Sequence, residues 1–220
     1  MSRIFLVGNG ASLKKTNLDL LIGKPSIAVN KIHKIYSKTK WRPTHYVKVD
    51  YSVFDPQHPD DWREEIFPHI VAGEQCLLWD AFHSGADKND GNYEWIHDGF
   101  GDVRNVMYIP RCQHHYLLTA DWHDYCTGTN SIVTMANWAY LLGFKEIVLV
   151  GCDGRYSDPK KDYFTSSYYK KVDGEYAKRN NEMVQKAHDL LAAKCPIPIW
   201  DATVDGHLTQ HRKVILEEVA

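Results

Sequence analysis

The sequence is poor in the signals that mark the commoner protein classes. Its five cysteines, Cys76, Cys112, Cys126, Cys152 and Cys195, lie far apart with no C-x-x-C pair. That speaks against a disulfide framework and a zinc ribbon and leaves free thiols, buried or partly buried. Neither charge is in excess: 26 Lys and Arg face 28 Asp and Glu, for a net charge of −2. The basic residues are spread along the chain, so a nucleic-acid partner is not expected. No apolar run reaches the length of a membrane span, and no basic segment precedes the first one, so a soluble, cytoplasmic protein is expected. No H-E-x-x-H or comparable ligand spacing occurs, and no metal site is assigned. There is no internal repeat and no low-complexity segment. With 44% hydrophobic residues in 220, the chain has enough apolar material for one domain over 1–220, with room for an insertion.

The stretch that organises this domain is Arg3-Ile4-Phe5-Leu6-Val7-Gly8-Asn9-Gly10-Ala11-Ser12-Leu13. A short apolar run meets two glycines, and a helix-like segment follows. It reads as the first strand of a parallel sheet turning into a helix. Unpaired N–H groups at such a turn can hold an anion, most often a phosphate. Gly8 and Gly10 would let backbone approach the ligand, and Asn9 and Ser12 would add hydrogen bonds to a phosphate or sugar. A dinucleotide fingerprint would need a third glycine where Leu13 stands, so that reading fails at its most specific point. A plain tight turn closing the strand is the alternative.

Further strands are predicted at Ser26–Asn30, His45–Asp50, Gln75–Trp79, Val106–Ile109, Lys145–Gly151 and Pro198–Asp201. Helices are predicted at Asn17–Ile22, Lys31–Ser37, from Pro59, at Ile132–Leu142, Asn180–Lys194 and Lys213–Val219. Strands alternating with helices predict an α/β fold, a mostly parallel sheet flanked by helices in one Rossmann-like domain. Around 80–105 the pattern breaks into turn residues, an irregular insertion.

Chemistry-bearing residues gather where strands end, and open α/β sheets bind ligands outside those carboxyl ends. Asn30 can read a ribose or sugar, or cap the next helix, and the two roles can coexist. Asp50 can hold a metal or a sugar hydroxyl, or cap the segment after it. Thr127, Gly128, Thr129, Asn130 and Ser131 precede a helix, so they offer caps and a second anion or carbonyl site. Asp153 lies just past the 145–151 strand. His114 and His115 stand among aromatic and acidic residues as possible acid–base groups. The loop from Tyr156 to Tyr169 is rich in tyrosine and lysine, which could stabilise a departing phosphate without a metal, or simply form a solvated loop.

Three pieces together, Gly8-Asn9-Gly10-Ala11-Ser12-Leu13, Thr127-Gly128-Thr129 ahead of Leu142-Gly143-Phe144-Lys145-Glu146-Ile147, and Gly151-Cys152-Asp153, resemble the small bacterial sialyltransferases that use a CMP-sugar donor. The resemblance extends to the glycosyltransferase core of the motility accessory factors and to the archaeal-type 6-hydroxymethyl-dihydropterin pyrophosphokinases. With these it shares Val29-Asn30-Lys31-Ile32, Pro43 to Asp50, and the turn Asp201-Ala202-Thr203. The resemblance implies nucleotide contacts from Asn9, Gly10 and Ser12, Asn30 near the ribose or sugar, and the Thr127–Thr129 turn at the donor's carboxylate or base. It also implies a glycosyltransferase of surface glycan or lipopolysaccharide biosynthesis. Its partners would be a nucleotide-sugar and a glycan acceptor, with no cofactor required. The oligomeric state is left open, a homo-oligomer included. Ala11 replaces a proline of those enzymes. Their general-base histidine falls at Gly174-Glu175-Tyr176-Ala177 here, where there is none, which leaves Asp153, His114 or His115 to act as base. The alternatives are a pyrophosphokinase needing ATP and Mg²⁺, with Asp50 and Asp153 as ligands, and a nucleotide- or glycan-binding protein without chemistry.

Overall fold

The computed structural model describes residues 2–48, 68–69, 75–80, 106–110, 130–158, 160–168 and 175–220, with 75–80 and 106–110 as backbone only. The expected helix from Pro59, residues 81–105 of the expected insertion, and Asp50, His114, Thr127, Gly128 and Thr129 lie outside the described residues.

Among the described residues eight strands form one sheet: β1 (Arg3–Val7), β2 (Ser26–Val29), β3 (His45–Lys48), β4 (Gln75–Asp80), β5 (Val106–Pro110), β6 (Glu146–Val150), β7 (Ile199–Asp201) and β8 (Arg212–Lys213). Their spatial order is β5-β4-β3-β2-β1-β6-β7-β8, and every neighbouring pair is parallel. The central pair explains itself from sequence. A strand covered on both faces needs an unbroken apolar run rather than alternation. Ile4-Phe5-Leu6-Val7 and Ile147-Val148-Leu149-Val150 are such runs, paired in register from Ile4 with Ile147 to Val7 with Val150.

Side chains alternate between two cores, as the pleat requires. Ile4, Leu6, Ile147 and Leu149 pack with α1 (Ser131–Leu141) and α2 (Tyr176–Lys194) on one face. Phe5, Val7, Val148 and Val150 face the other core. No long helix covers that second core among the described residues. Three 3-10 segments do: Ala11–Lys14, Leu18–Leu21 and Asn30–Ile35, inserting Leu13, Leu18, Leu21, Ile32 and Ile35.

These segments correct the expectation of helices after β1, at 17–22 and at 31–37. Each has an identifiable cause. Ser12 is tethered by its N–H to Asp153 across the sheet (3.0 Å). Asn17 caps Asp19 (3.2 Å), and the chain must already enter β2 at Ser26. Lys31 is non-helical within its segment.

At the C-terminus the expected helix over 213–219 is replaced by β8 and a single helical turn, Leu216–Val219. The cause is Asp201, whose carboxylate accepts from Lys213 Nζ and whose carbonyl accepts from Val214 N–H (3.0 Å). That pairing draws the segment alongside β7. The helix α2 begins at Tyr176, four residues before the expected start at Asn180. Among the described residues no helix is long and apolar enough to cross a membrane.

Candidate functional site at the switch point of the sheet

Strands β2 to β5 lie on one side of β1 and strands β6 to β8 on the other. The strand order therefore reverses between β1 and β6, and doubly wound sheets bind ligands outside the carboxyl ends of the strands at such a point. Helices α1 and α2 each lead into a parallel strand, β6 and β7, so both run against the strands. Their N-termini, at Asn130 and Tyr176, therefore lie at this same edge.

The two loops leaving β1 and β6 continue the pairing of their strands. Gly8 N–H donates to Val150 O (2.8 Å), and Gly10 N–H to Gly151 O (2.9 Å). The glycines are needed, but for a reason other than the expected one. A Cβ on Gly8 would sit 2.5 Å from the Gly151 carbonyl oxygen, and one on Gly10 would fall on the Asp153 carboxylate. Their missing side chains make room for the neighbouring loop.

Asp153 is the hub. Its carboxylate accepts the N–H of Ser12 at 3.0 Å and also the Ser12 hydroxyl. Its own carbonyl accepts His207 N–H (2.8 Å). Burial pushes the Asp153 carboxyl above its ordinary value, while the bonds from Ser12 and the Ala11 N–H hold it back. The donors of Ser12 in the turn after β1 are thus taken up by the Asp153 carboxyl group.

Polar groups around this hub divide by what they already bind. Asn9 is nearly buried, and its Nδ2 donates to Val29 O (2.8 Å), which fixes the amide orientation. Its buried Oδ1 has no hydrogen-bond partner among the described residues. Asn30 sits at φ +57°, its Oδ1 accepts from the buried Lys48 ammonium (3.1 Å), and its carbonyl accepts from Tyr46 OH (2.6 Å). It does not cap the following segment through its side chain. Asn130 caps α1 by accepting Ile132 N–H (2.9 Å), and Ser131 opens the helix.

The tyrosine loop is fastened over the β1 turn. Tyr163 bridges Gly10, and Phe164 N–H donates to Asn9 O (3.2 Å). Tyr163 stacks on Tyr168 at 3.9 Å, and the ring of Tyr156 lies 6.1 Å from that of Tyr163 and 5.9 Å from that of Tyr176. Of the expected site residues, the fold brings together Gly8, Asn9, Gly10, Ser12 and Asp153, with Tyr156 beside them and Asn30, Asn130 and Ser131 along the same edge.

Asp201 and Thr203, seen in the sequence only as part of the turn at 201–203, support the loop after β6, and Asn181 and Gln185 do so with no distinct sequence signal. Thr203 Oγ1 accepts Cys152 N–H (3.1 Å), and Thr203 N–H donates to the buried Asp201 (2.8 Å). Asn181 and Gln185 reach from α2 to the Tyr156 and Gly154 backbone. Burial, with Asp201 and Asp153 nearby, pushes the Cys152 thiol far above its ordinary value, which disfavours the thiolate. Among the described residues no three His, Cys, Asp or Glu side chains gather as metal ligands.

No family model matches the chain, and no curated protein matches it. Among solved structures it is similar to the sialyltransferase CST-II, determined in complex with a trisaccharide acceptor and CMP. The TM-score is 0.53 at 14% identity, covering 96% of this chain and 85% of that one. The likeness is one of fold, and it agrees with the parallel, doubly wound sheet described above.

Proposed function

We propose that this chain is a glycosyltransferase. In this reading it moves a sugar from a nucleotide-activated donor, a CMP-nonulosonic acid, to a glycan hydroxyl in surface glycan or lipopolysaccharide biosynthesis. The observation that carries the reading is the unpartnered Asn9 Oδ1 at the switch point of the sheet. A lone carbonyl oxygen needs a donor, which a ribose hydroxyl or a base amine supplies and a phosphate does not. The fold shared with CST-II supports the same assignment.

The nucleoside would lie across the ends of β1, β2 and β3, with Asn9, Asn30 and Asp50 on its hydroxyls. Gly8, Gly10 and Ser12 form the floor. The start of α1, with Thr127, Gly128, Thr129, Asn130 and Ser131, would face the sugar or base. As the acceptor oxygen bonds to the anomeric carbon, the bond from that carbon to the phosphate oxygen breaks. The negative charge goes to the departing CMP, where the Tyr156 phenol can donate to it. The acceptor's proton goes to a base, for which Asp153 and His114 are the candidates. No metal is required in this scheme.

Calorimetric titration with CMP, CDP, UDP and ATP, each with and without Mg²⁺, tests the proposal. Metal-independent binding of CMP or CDP is expected, followed by turnover of a CMP-sugar. Binding of ATP only with Mg²⁺ would overturn it in favour of pyrophosphoryl transfer. Turnover that survives replacement of both Asn9 and Asp153 by Ala would also count against it.

A further inference from the structure

The loop that carries Asp153 and Tyr156 is held by one face of α2. Asn181 uses its whole amide on a single residue: its Oδ1 accepts Tyr156 N–H at 2.8 Å and its Nδ2 donates to Tyr156 O at 2.8 Å. A side-chain amide placed this way substitutes for a neighbouring strand, satisfying both backbone polar groups of one residue. One helical turn on, Gln185 Nε2 donates to Gly154 O (3.1 Å). Its Oε1 is fixed in turn by Gln210 Nε2 (2.8 Å). Residues 181 and 185 share a helix face, so a rigid element grips the loop at two points two residues apart. Between these and Asp153 the chain has little freedom. His207 N–H holds the Asp153 carbonyl, and Leu208 packs where a Cβ on Gly154 would be.

We infer that Asn181 is a positioning residue for the nucleotide site: by fixing the Tyr156 peptide it sets where the Tyr156 phenol stands relative to the departing phosphate. The inference rests on the nucleotide-sugar reading and adds to it a residue that touches no ligand. Only an amide meets the requirement. Asp keeps an acceptor for the Tyr156 N–H but sets a second oxygen against the Tyr156 carbonyl. Leu has the same outline and neither function.

The test uses the full chain with CMP as probe. Wild type, Asn181→Leu, Asn181→Asp, Tyr156→Phe and the double variant Asn181→Leu/Tyr156→Phe are titrated by calorimetry. Hydrogen exchange of the 153–157 segment and thermal midpoints are recorded alongside. Loss of two hydrogen bonds predicts CMP binding weakened about tenfold in Asn181→Leu, less in Asn181→Asp. Exchange at Tyr156 should quicken in both. Once the phenol hydroxyl is gone, Asn181→Leu should weaken CMP no further, because both changes act on the same contact.

Two results overturn the inference: Asn181→Leu binding CMP like wild type while its midpoint falls, or its effect adding in full to that of Tyr156→Phe. Failure of the nucleotide reading looks different. There the wild type itself binds no nucleotide, and the positioning role falls with it.

Discussion

Ser12 gives both of its donors, the backbone N–H at 3.0 Å and the hydroxyl, to the carboxylate of Asp153, 141 residues further along the chain. Two loops that meet only because β1 and β6 are neighbours are thereby locked into one surface. The bond ties the local geometry of the first turn to the carboxyl end of the sixth strand.

Removing that carboxylate isolates a partly buried donor. Asp153→Ala should cost about 1–3 kcal/mol of stability, the usual penalty for an orphaned polar group. Asp153→Asn, which keeps one oxygen, should cost less. Urea unfolding of the two variants against wild type measures both.

Glycine replacements should rank by what they meet. Gly10→Ala drives a methyl into Asp153 and into the Gly151 carbonyl, and should destabilise by about 1–3 kcal/mol or more. Gly23, at φ +75°, has nothing within 4 Å of the new carbon. Gly23→Ala should cost only its backbone strain, about 1–2 kcal/mol. Chemical denaturation resolves the difference, and nucleotide binding should respond to Gly10→Ala alone.

Acid stability should depend on a buried histidine pair. His188 Nδ1 and His211 Nε2 lie 2.9 Å apart, joining α2 to the segment before β8. Burial first, and the neighbouring His211 second, hold His188 at about 3, down from 6.5. Burial also lowers His211; Asp201 opposes that shift and Lys213 reinforces it. A depressed folded value means that stability is fully present above pH 6.5 and is lost as the pH falls from there toward 3. Wild type should therefore lose stability between neutral pH and about pH 4.5, and His188→Gln should lose less over the same interval. Unfolding midpoints at the two pH values decide it.

The cap on α1 is a separable contribution. Asn130→Ala should destabilise by about 1 kcal/mol through loss of the bond to Ile132 N–H, and Asn130→Asp should restore most of it. Thermal midpoints of the three proteins provide the comparison.

What could be read from the sequence follows from how local each determinant is. The strands at Ile4–Val7 and Ile147–Val150 were legible because an unbroken apolar run between turn residues has few other uses. The cap on α1 was legible only as a group of Thr, Asn and Ser residues ahead of the helix, of which Asn130 takes the role. Gly8 and Gly10 read in the sequence as positions that let backbone approach a ligand, yet what lies against them is a segment distant in sequence, and no local pattern announces it. The helices expected after β1 and β2 became 3-10 segments because Ser12 and Asn30 are held by partners in the loop after β6 and on β3. Asn181 is one polar residue on an amphipathic helix, indistinguishable in sequence from a solvated one. The tyrosines of 156–168 were legible as chemistry-bearing, but their packing on one another and on the β1 turn was not.

The short eighth strand has a consequence for how copies of this chain meet. A parallel sheet with a bare edge invites another strand to add on, and from there a growing aggregate. Here the edge is two residues long, and both, Arg212 and Lys213, are charged and exposed. Arg212 lies 5.5 Å over the Trp200 ring, and Lys213 is paired with Asp201, so both cations are held at the rim. An incoming segment would find hardly a ladder to extend and two positive charges to displace. On that side the sheet stops by electrostatics as much as by running out of strand.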